Sequence, residues 1–434
     1  MVTKRISIRL WLSTLFKNPL FIVMLVVGVW QLFLYALTPG YQVCGDTESY
    51  TIYYTDMSLR TPIYPYFAKL VGFIMGDNQE AWFTGIAVVQ KIMFFLSTIL
   101  FYATIKMVTK SKTVQILTTL LYGLSPGLIL WDICILTETF SIIEIVALLF
   151  FSFSYLRNKK SSSAFMTGII VAIIILTRPA ALYLLPIYII FWIWQWFKVR
   201  KGDNYKHRQA VRYGLASIGL ALVALLGYCG IMKIQYGKFE ISSVSYMNKL
   251  LIIYDTGLYK KSSDFEKVEI IENKTKEKDI YAVMWQDLKT RYSDAELDEF
   301  ASSVLKDNLV TYAKILARKT INVGAMPVAT SYIADSNNSL LLNSLAKMIT
   351  PVQFGAIYTL LLTGVTVMVI NIKQKNGIDS VLAICTFIIG GNIGMTLIAA
   401  PYEMQRLCVT SVVVSIILLG YLAELLCSRR LVSS

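Results

Sequence analysis

The stretch PLFIVMLVVGVWQLFLYAL, residues 19–37, decides the fold class of this chain because it contains no charged side chain. A run of about 18 or more apolar residues is long enough to cross the hydrocarbon core of a bilayer as an α-helix. A backbone inside lipid must satisfy its own hydrogen bonds, and a helix does so within one segment. The stretch therefore predicts a transmembrane helix.

Apolar stretches of this kind recur along the chain. Of its 434 residues, 56% are hydrophobic and 16% are charged, and the mean hydropathy is +0.59. We predict further spans at residues 81–105, 113–130, 139–156, 164–177, 180–197, 213–232, 352–370, 380–399 and 407–427. The sequence thus predicts an all-α polytopic membrane protein with about 10 transmembrane helices.

The charge of the chain is strongly basic, with 41 Lys and Arg residues against 27 Asp and Glu residues and a net charge of +14. Such an excess can indicate nucleic-acid binding, but here the basic residues cluster at alternate ends of the predicted spans. Cytoplasmic loops of membrane proteins are rich in Lys and Arg. We therefore expect no nucleic-acid partner, and we predict a cell-membrane protein with both termini in the cytoplasm.

This orientation divides the chain into three parts. Residues 1–234 form an N-terminal transmembrane module, residues 235–350 an extracytoplasmic and mainly helical region, and residues 351–434 the C-terminal transmembrane helices. In the middle part, SDAELDEF predicts an N-cap and an acidic first turn of a helix that starts at Asp294. The later stretch NLVTYAKILARKTINVGAMP fits either an amphipathic helix on the outer leaflet or an ordinary helix of this region.

The side chains that commonly bind metal are sparse. The single histidine, His207, lies in a basic loop, and the six cysteines form no CxxC motif. Most of the cysteines lie in or beside apolar runs, which predicts small core residues. The sequence therefore excludes a His-based metal site and a Ser-His-Asp triad.

Ionisable residues from four separate loops fall near the outer ends of the predicted spans. Such groups at the bilayer edge cost free energy unless they are paired or used. They are Asp46, Glu48, Asp56, Arg60, Asp132, Glu138, Arg178, Glu403 and Arg406. They are either ordinary interfacial charges or parts of one external site.

The residue types indicate what such a site would do. A carboxylate can remove the proton of a hydroxyl nucleophile, and arginine presents a fork of donors that suits phosphate oxygens. Together they suit attack by an alcohol on a substrate whose leaving group is a lipid phosphate. The tyrosines nearby, among them Tyr50, Tyr64 and Tyr402, suit the interfacial aromatic belt and can also contact sugar rings.

The first external loop, residues 38–80, contains two informative motifs. In GDTESY, Asp46 and Glu48 would face one way in an extended loop but not in a helix, and either could be the base. In RTPIYPY, the two prolines after Arg60 are expected to stiffen the chain and to limit helix formation.

Several motifs together resemble the GT-C superfamily of membrane glycosyltransferases. They are the Asp after the first span, RTPIYP, SPGLILWDICILTETFS, LTRPAALYLLP and PYEMQRL. The resemblance is to bacterial members of glycosyltransferase family 39 and their relatives, which include aminoarabinose transferases and protein O-mannosyltransferases. It covers residues 1–190 and, more loosely, residues 400–434.

The resemblance implies a GT-C-like bundle that takes a sugar from a polyprenyl-phosphate donor on the extracytoplasmic face and inverts its anomeric carbon. Asp46 matches the catalytic base, whereas Glu48 departs from the pattern and could share that role or bind a metal. Arg178 matches the arginine of the RP motif and Arg406 the arginine near the last span, and both would contact the donor phosphate; we predict the same role for Arg60. The substrate cavity would be lined by Tyr50, Tyr64, Asp132, Glu138, Tyr402 and Glu403.

The resemblance also implies the partners, which are the polyprenyl-phosphate-linked sugar, membrane lipids and a glycan, lipid or protein acceptor. Some members of the superfamily use a divalent metal and others do not, and we expect no required cofactor here. Two alternatives stay open. One is a flippase or transporter for a lipid-linked glycan, and the other is a glycan polymerase or ligase that uses a lipid-diphosphate donor.

Overall fold

The computed structural model describes residues 18–38, 40–52, 60–76, 78–200, 205–242, 245–322, 339–375, 377–400 and 403–433. Extended pairing within these residues is limited to an isolated bridge between Gln42 and Cys134. The predicted all-α fold class is confirmed.

The helices of the first half of the chain are α1 (Pro19–Leu37), α2 (Thr47–Thr51), α3 (Ile63–Met75), α4 (Gln79–Val108), α5 (Lys112–Gly123), α6 (Pro126–Ile129), α7 (Glu138–Asn158), α8 (Ser161–Thr177) and α9 (Leu184–Arg200). Short 3₁₀ turns follow α6 at Leu130–Asp132 and precede α9 at Pro179–Tyr183.

The second half contains α10 (Tyr205–Tyr236), α11 (Ser245–Asp255), α12 (Phe265–Lys274), α13 (Ile280–Ala282), α14 (Asp294–Asp307), α15 (Leu309–Asn322), α16 (Ser339–Lys373), α17 (Ser380–Ala399), α18 (Met404–Leu407) and α19 (Val409–Ser433). A 3₁₀ turn at Leu258–Lys261 follows α11, and a π-helical turn at Val283–Leu288 follows α13.

Among the described residues, 8 helices are long and apolar enough to cross a membrane. They are α1, α4, α7, the segment Pro179–Val199, α10, the part of α16 from Pro351, α17 and α19. The shorter apolar helix α8 accounts for the predicted span at residues 164–177. The chain is a multi-pass membrane protein, and each predicted span except the one at residues 113–130 coincides with a helix.

The predicted span at residues 113–130 is not one straight helix. Helix α5 ends at Gly123, and the segment Pro126–Asp132 continues at an angle of 50°. Pro126 has no backbone N–H, and a proline disfavours helical geometry in the residue before it, here Ser125. The break therefore lies where the sequence places its proline.

The expectation that the prolines after Arg60 limit helix formation is wrong. Pro62 is the N-cap of α3, and Pro65 lies in its first turn. A proline is tolerated there because the first N–H groups of a helix have no partner within the helix. The first external loop therefore contains a helix that the sequence analysis missed.

The helix pair α8 and α10 crosses without intervening side chains. A Cβ on Gly168 would lie 2.4 Å from the backbone carbonyl carbon of Ser217. On the neighbouring helix pair α9 and α10, a Cβ on Gly214 would lie 2.5 Å from the indole ring of Trp192. Small residues let transmembrane helices approach closely, which gains dispersion energy where lipid offers no hydrophobic driving force.

Residues 245–322 pack around a second hydrophobic core that includes Leu250, Met284, Leu297 and Phe300. The predicted helix start at Asp294 is confirmed, because Ser293 and Glu296 form a reciprocal capping box. The region contacts the end of α17, where the Tyr312 hydroxyl donates to the carbonyl of Ile398 at 3.4 Å. Its position outside the membrane stays a prediction.

The two ends of the helical bundle differ in composition. One end, here called the site end, contains the C-terminus of α1, the N-terminus of α7, the C-termini of α8 and α17, and the N-terminus of α19. The described helix ends that flank the Lys-rich and Arg-rich connections between α4 and α5, α7 and α8, α9 and α10, and α16 and α17 lie at the opposite end.

Candidate active site

An ion-pair cluster at the site end joins side chains from distant parts of the sequence. Arg406 is its centre, because its Nη2 lies 2.7 Å from Asp46 Oδ2 and its Nε lies 2.6 Å from Glu138 Oε1. Its Nη1 lies 3.3 Å from Glu403 Oε1. The planar guanidinium of arginine can donate to three acceptors at once. The ammonium group of lysine, on its flexible stem, suits three such acceptors poorly.

Two further arginines extend the cluster on either side. Arg60 Nη2 lies 2.6 Å from Asp46 Oδ1, so both oxygens of Asp46 contact guanidinium groups. Arg178 Nη2 lies 2.8 Å from the same Glu138 oxygen that Arg406 contacts. Asp46, Arg60, Glu138, Arg178 and Arg406 therefore form one continuous network, as one of the two sequence interpretations predicted.

The backbone explains why Asp46 is available for this network. Asp46 is the N-cap residue of α2, but its side chain makes no capping hydrogen bond. Ser49 instead donates to the backbone carbonyl of Asp46 at 2.6 Å and accepts from Arg60 Nε at 2.7 Å. The short helix thus holds Asp46 and Arg60 together while it leaves the carboxylate free to face the arginines.

Arg178 and Arg406 occupy helix ends for identifiable reasons. Arg178 precedes Pro179, so it takes an extended conformation (φ −149°, ψ 107°) at the end of α8 and points out of the helix. Arg406 lies in the single turn α18, which Asn392 of α17 holds through a 3.2 Å bond to the carbonyl of Leu407. A further bond of 3.1 Å from Thr61 to the carbonyl of Thr177 brings the residues beside Arg60 and Arg178 together.

Glu138 is the most deeply buried member of the cluster, with 0% of its side chain exposed. It is the first residue of α7, where the positive end of the helix dipole favours a carboxylate. Its Oε2 and Arg178 Nη1 are both buried, and neither has a hydrogen-bond partner among the residues that the structure describes. A buried polar atom of this kind costs free energy unless something satisfies it, so these two atoms mark unfilled hydrogen-bonding capacity inside the cluster.

The electrostatics of Asp46 follow from its two ion pairs. Burial alone would raise the pKa of this carboxyl, but Arg406 and Arg60 hold the pKa of Asp46 well below its usual range. Although burial opposes the charge on Arg406, its three carboxylate partners raise the pKa of Arg406 further above its ordinary value. Asp46 and Arg406 are therefore both charged at neutral pH.

The two predicted tyrosines of the first external loop lie behind Arg60. The Arg60 guanidinium lies 4.6 Å from the centre of the Tyr50 ring, which favours a cation. Tyr50 packs edge to face against Tyr64, with ring centroids 5.2 Å apart. The Tyr64 hydroxyl donates to Gln90 at 2.7 Å. Both tyrosines are buried and support Arg60 from the protein side.

Asp132 lies outside the ion-pair cluster. It is fully buried, and its Oδ2 accepts a short hydrogen bond from the Tyr35 hydroxyl. Lys91 lies beside this pair, 4.6 Å from the centre of the Tyr35 ring, and donates to the carbonyl of Gly40 at 3.4 Å. Gln90 connects the backbone of this segment to Tyr64, so Asp132 is a neighbour of the cluster and not a member.

Glu48 is separated from the cluster. The GDTESY motif is helical from Thr47, which turns Glu48 to the exposed side of α2 while Asp46 faces the arginines. Of the two geometries that the sequence left open, the structure has the helical one, in which the two carboxylates do not face the same way. The predicted residues Asp56 and Tyr402 lie outside the described residues.

Two residues that support the cluster were not predicted from the sequence. Ser49, which bridges Asp46 and Arg60, is one serine among many in the chain. Gln90, which ties Tyr64 to the carbonyls of Asp132 and Cys134, lies inside an apolar span. Gln90 could have been singled out from the sequence as a neutral amide inside a predicted span, because a polar group there needs a hydrogen-bond partner.

Within the described residues, no group of three or more His, Cys, Asp and Glu side chains is arranged to hold a metal ion. The carboxylates of the cluster are instead paired with arginines. The absence of a required metal stays a prediction.

Comparison with known proteins relates part of the chain to a family. Residues 59–226 match the family model described as dolichyl-phosphate-mannose-protein mannosyltransferase. The resemblance stated for the sequence is thereby confirmed for this stretch, which includes Arg60, Glu138 and Arg178 but neither Asp46 nor Arg406. No curated protein shows significant similarity to the chain.

Solved structures of the Archaeoglobus fulgidus oligosaccharyltransferase are similar to most of this chain. The apo form aligns with a TM-score of 0.49 at 14% identity and covers 95% of this chain and 52% of that chain. The complex with zinc and sulfate aligns with a TM-score of 0.46 at 13% identity and covers 95% of this chain and 45% of that chain. The present chain spans about half the length of these structures.

Proposed function

We propose that this protein is a membrane glycosyltransferase that moves a sugar from a polyprenyl-phosphate donor to an acceptor hydroxyl on the extracytoplasmic face, with inversion and with Asp46 as the base. The observation that carries the proposal is the network of Asp46, Arg60, Glu138, Arg178 and Arg406 at one end of a membrane-spanning bundle. The family match of residues 59–226 supports the same reaction class.

The arginines fit the leaving group of this reaction. When the bond between the anomeric carbon and the phosphate oxygen breaks, negative charge develops on the phosphate. Guanidinium groups already held in place stabilise that charge without reorganisation. Arg178 Nη1 is buried and unpartnered, and Arg178 shares Glu138 with Arg406, so these two arginines are suited to grip one phosphate together.

The pairing of Asp46 with Arg60 and Arg406 implies that the donor binds before the acceptor hydroxyl reacts. A carboxylate held by two cations is a weak base, because its pKa lies below the usual range. Phosphate oxygens compete with Asp46 for the same guanidinium donors. Donor binding would therefore release Asp46, which then accepts the proton of the acceptor hydroxyl as that oxygen attacks the sugar.

The distribution of charge supports the extracytoplasmic side. The connections rich in Lys and Arg lie at the end of the bundle opposite the site, and such connections face the cytoplasm in most membrane proteins. The helical region that contains α11 to α15 meets α17 at the site end through Tyr312 and Ile398. We therefore assign that region to the acceptor side, where it would contact a glycan, lipid or protein.

The test is a transfer assay with the purified full-length protein. A panel of polyprenyl-phosphate hexoses and pentoses is incubated with a membrane extract as the acceptor pool, and released polyprenyl phosphate is measured by mass spectrometry. We expect release that depends on protein and acceptor. Movement of labelled donor across liposomes with no release would contradict the proposal and favour a flippase. A parallel panel of polyprenyl-diphosphate glycans tests the ligase: release of polyprenyl diphosphate from that panel, with no release from the monophosphate donors, would favour it.

A further inference from the structure

Two cysteines meet where the first external loop touches the segment that leads into α7. Gln42 N donates to the carbonyl of Ile133 at 2.8 Å, and Ile135 N donates to the carbonyl of Gln42 at 3.2 Å. This bridge pairs Gln42 with Cys134, and Cys44 follows two residues later. Both cysteines belong to the buried core, with 7% and 0% of their surface exposed.

The backbone holds the two cysteines close together. The amide of Cys44 donates to Thr47 Oγ1 at 2.8 Å, and that hydroxyl donates to the carbonyl of Ile135 at 3.2 Å. One hydroxyl group thus separates the Cys44 backbone from the residue after Cys134. The Cys44 thiol Sγ lies 3.9 Å from the carbonyl of Gln42, the residue paired with Cys134, and the Cys44 side chain together with burial raises the pKa of the Cys134 thiol.

We propose that Cys44 and Cys134 form a disulfide that ties the loop carrying Asp46 to the segment carrying Glu138. The proposal rests on the extracytoplasmic placement of the site, because disulfides persist in oxidising compartments and are rare in the cytosol. A disulfide needs two backbones that run close together, and the bridge between Gln42 and Cys134 and the Thr47 hydroxyl supply that proximity beside Cys44.

The oxidant for this disulfide is the disulfide of a protein dithiol oxidase in that compartment. The thiolate of Cys44, the more exposed of the pair, attacks the oxidant disulfide and forms a mixed disulfide while the oxidant's other sulfur leaves as a thiol. Cys134 then attacks the Cys44 sulfur, and the oxidant departs as a dithiol. Two S–H bonds are lost, one S–S bond forms, and two electrons and two protons pass to the oxidant.

The position of the bond gives it a consequence for the site. Asp46 lies two residues after Cys44, and Glu138 lies four residues after Cys134. The disulfide would fix the distance between the two acidic residues that Arg406 joins. Reduction should therefore loosen the first external loop without removing any charged group from the cluster.

The experiment is a thiol count on the full-length protein. Cells are lysed in denaturing detergent with excess N-ethylmaleimide, and the peptides are analysed by mass spectrometry with and without reductant. We expect a linked peptide pair containing Cys44 and Cys134 that disappears on reduction. Recovery of both residues as N-ethylmaleimide adducts from unreduced protein would overturn the proposal, whether or not the protein transfers sugar.

Two variants and one second readout complete the test. In Cys44→Ser, Cys134 should be recovered as an alkylated thiol, whereas Cys229→Ser, at a buried cysteine of α10, should leave the linked pair intact. Reductant should lower the unfolding temperature of the wild type in detergent and leave that of Cys44→Ser unchanged. An equal response of both proteins to reductant would also overturn the proposal.

Discussion

Replacement of Asp46 by asparagine should change turnover and donor binding in opposite directions. Asn keeps the shape of the side chain but cannot accept a proton, and loss of a general base lowers kcat by about 10²- to 10⁴-fold. The same change frees Arg60 and Arg406, whose contacts with Asp46 measure 2.6 and 2.7 Å. A donor phosphate would no longer compete with Asp46 for these groups.

The gain in binding can be worked from the two ion pairs. The Asp46 side chain is 29% exposed, so each pair is screened and contributes about 1 kcal/mol. Loss of both competitors amounts to about 2 kcal/mol, which corresponds to roughly 30-fold tighter binding of the anion. If Asp46 had only a structural role, Asp46→Asn would bind the donor phosphate more weakly, because the arginines of a disturbed cluster would be less well positioned.

The assay measures both quantities on the same preparations. Binding of decaprenyl phosphate gives Kd without turnover, and polyprenyl phosphate release gives kcat. Glu48→Gln is the matched control, because Glu48 lies two residues away on the exposed side of α2 and should leave both values unchanged. If Asp46→Asn keeps its turnover, Asp46 is not the base, and if its Kd rises, the competition argument is wrong.

Three further predictions concern stability in detergent. Because the pKa of Asp46 is lower in the folded protein, its charge should stabilise the fold fully above the unfolded pKa of about 4. That stabilisation is lost as the pH falls below this value. The difference in unfolding temperature between wild type and Asp46→Asn should therefore shrink below about pH 4. Glu138→Gln should cost about 3–5 kcal/mol, because it leaves two buried arginines facing each other, and thermal unfolding that matches wild type would contradict the ion-pair cluster. Gly168→Ala should destabilise the α8–α10 crossing because its Cβ would meet backbone, whereas Gly219→Ala, in open space on α10, should be neutral or slightly stabilising, which chemical denaturation can compare.

The sequence predicted those parts of the structure that depend on hydropathy and topology. Because successive spans cross the membrane in alternating directions, Asp46, Glu138, Arg178 and Arg406 lie at the same end of the bundle, however the helices pack. That end is therefore predictable from span boundaries and the location of basic loops. The resemblance of short motifs to GT-C enzymes added the reaction class, which residue types alone left open.

Features that depend on local helix geometry could not be predicted in this way. Whether GDTESY is extended or helical decides which of Asp46 and Glu48 faces the arginines, and the five letters after Asp46 favour neither. Prolines near Arg60 indicate a helix start as well as a break, because both uses exploit the missing N–H. The pairing of Arg406 with two carboxylates follows from tertiary packing, which no spacing in the sequence encodes.

Exposure separates the three carboxylates of the cluster by what each can do. Glu138 is fully buried between two arginines, so no acceptor hydroxyl can reach it, and its charge serves to hold those arginines in place. Glu403 is 25% exposed, but it contacts Arg406 from the preceding turn at 3.3 Å, a local pair that leaves its other oxygen outside the network. Asp46 combines partial exposure with contacts to two arginines, so anion binding changes its basicity most. The proposed role of Asp46, a base that stays weak until the donor binds, requires this combination, which neither Glu138 nor Glu403 has.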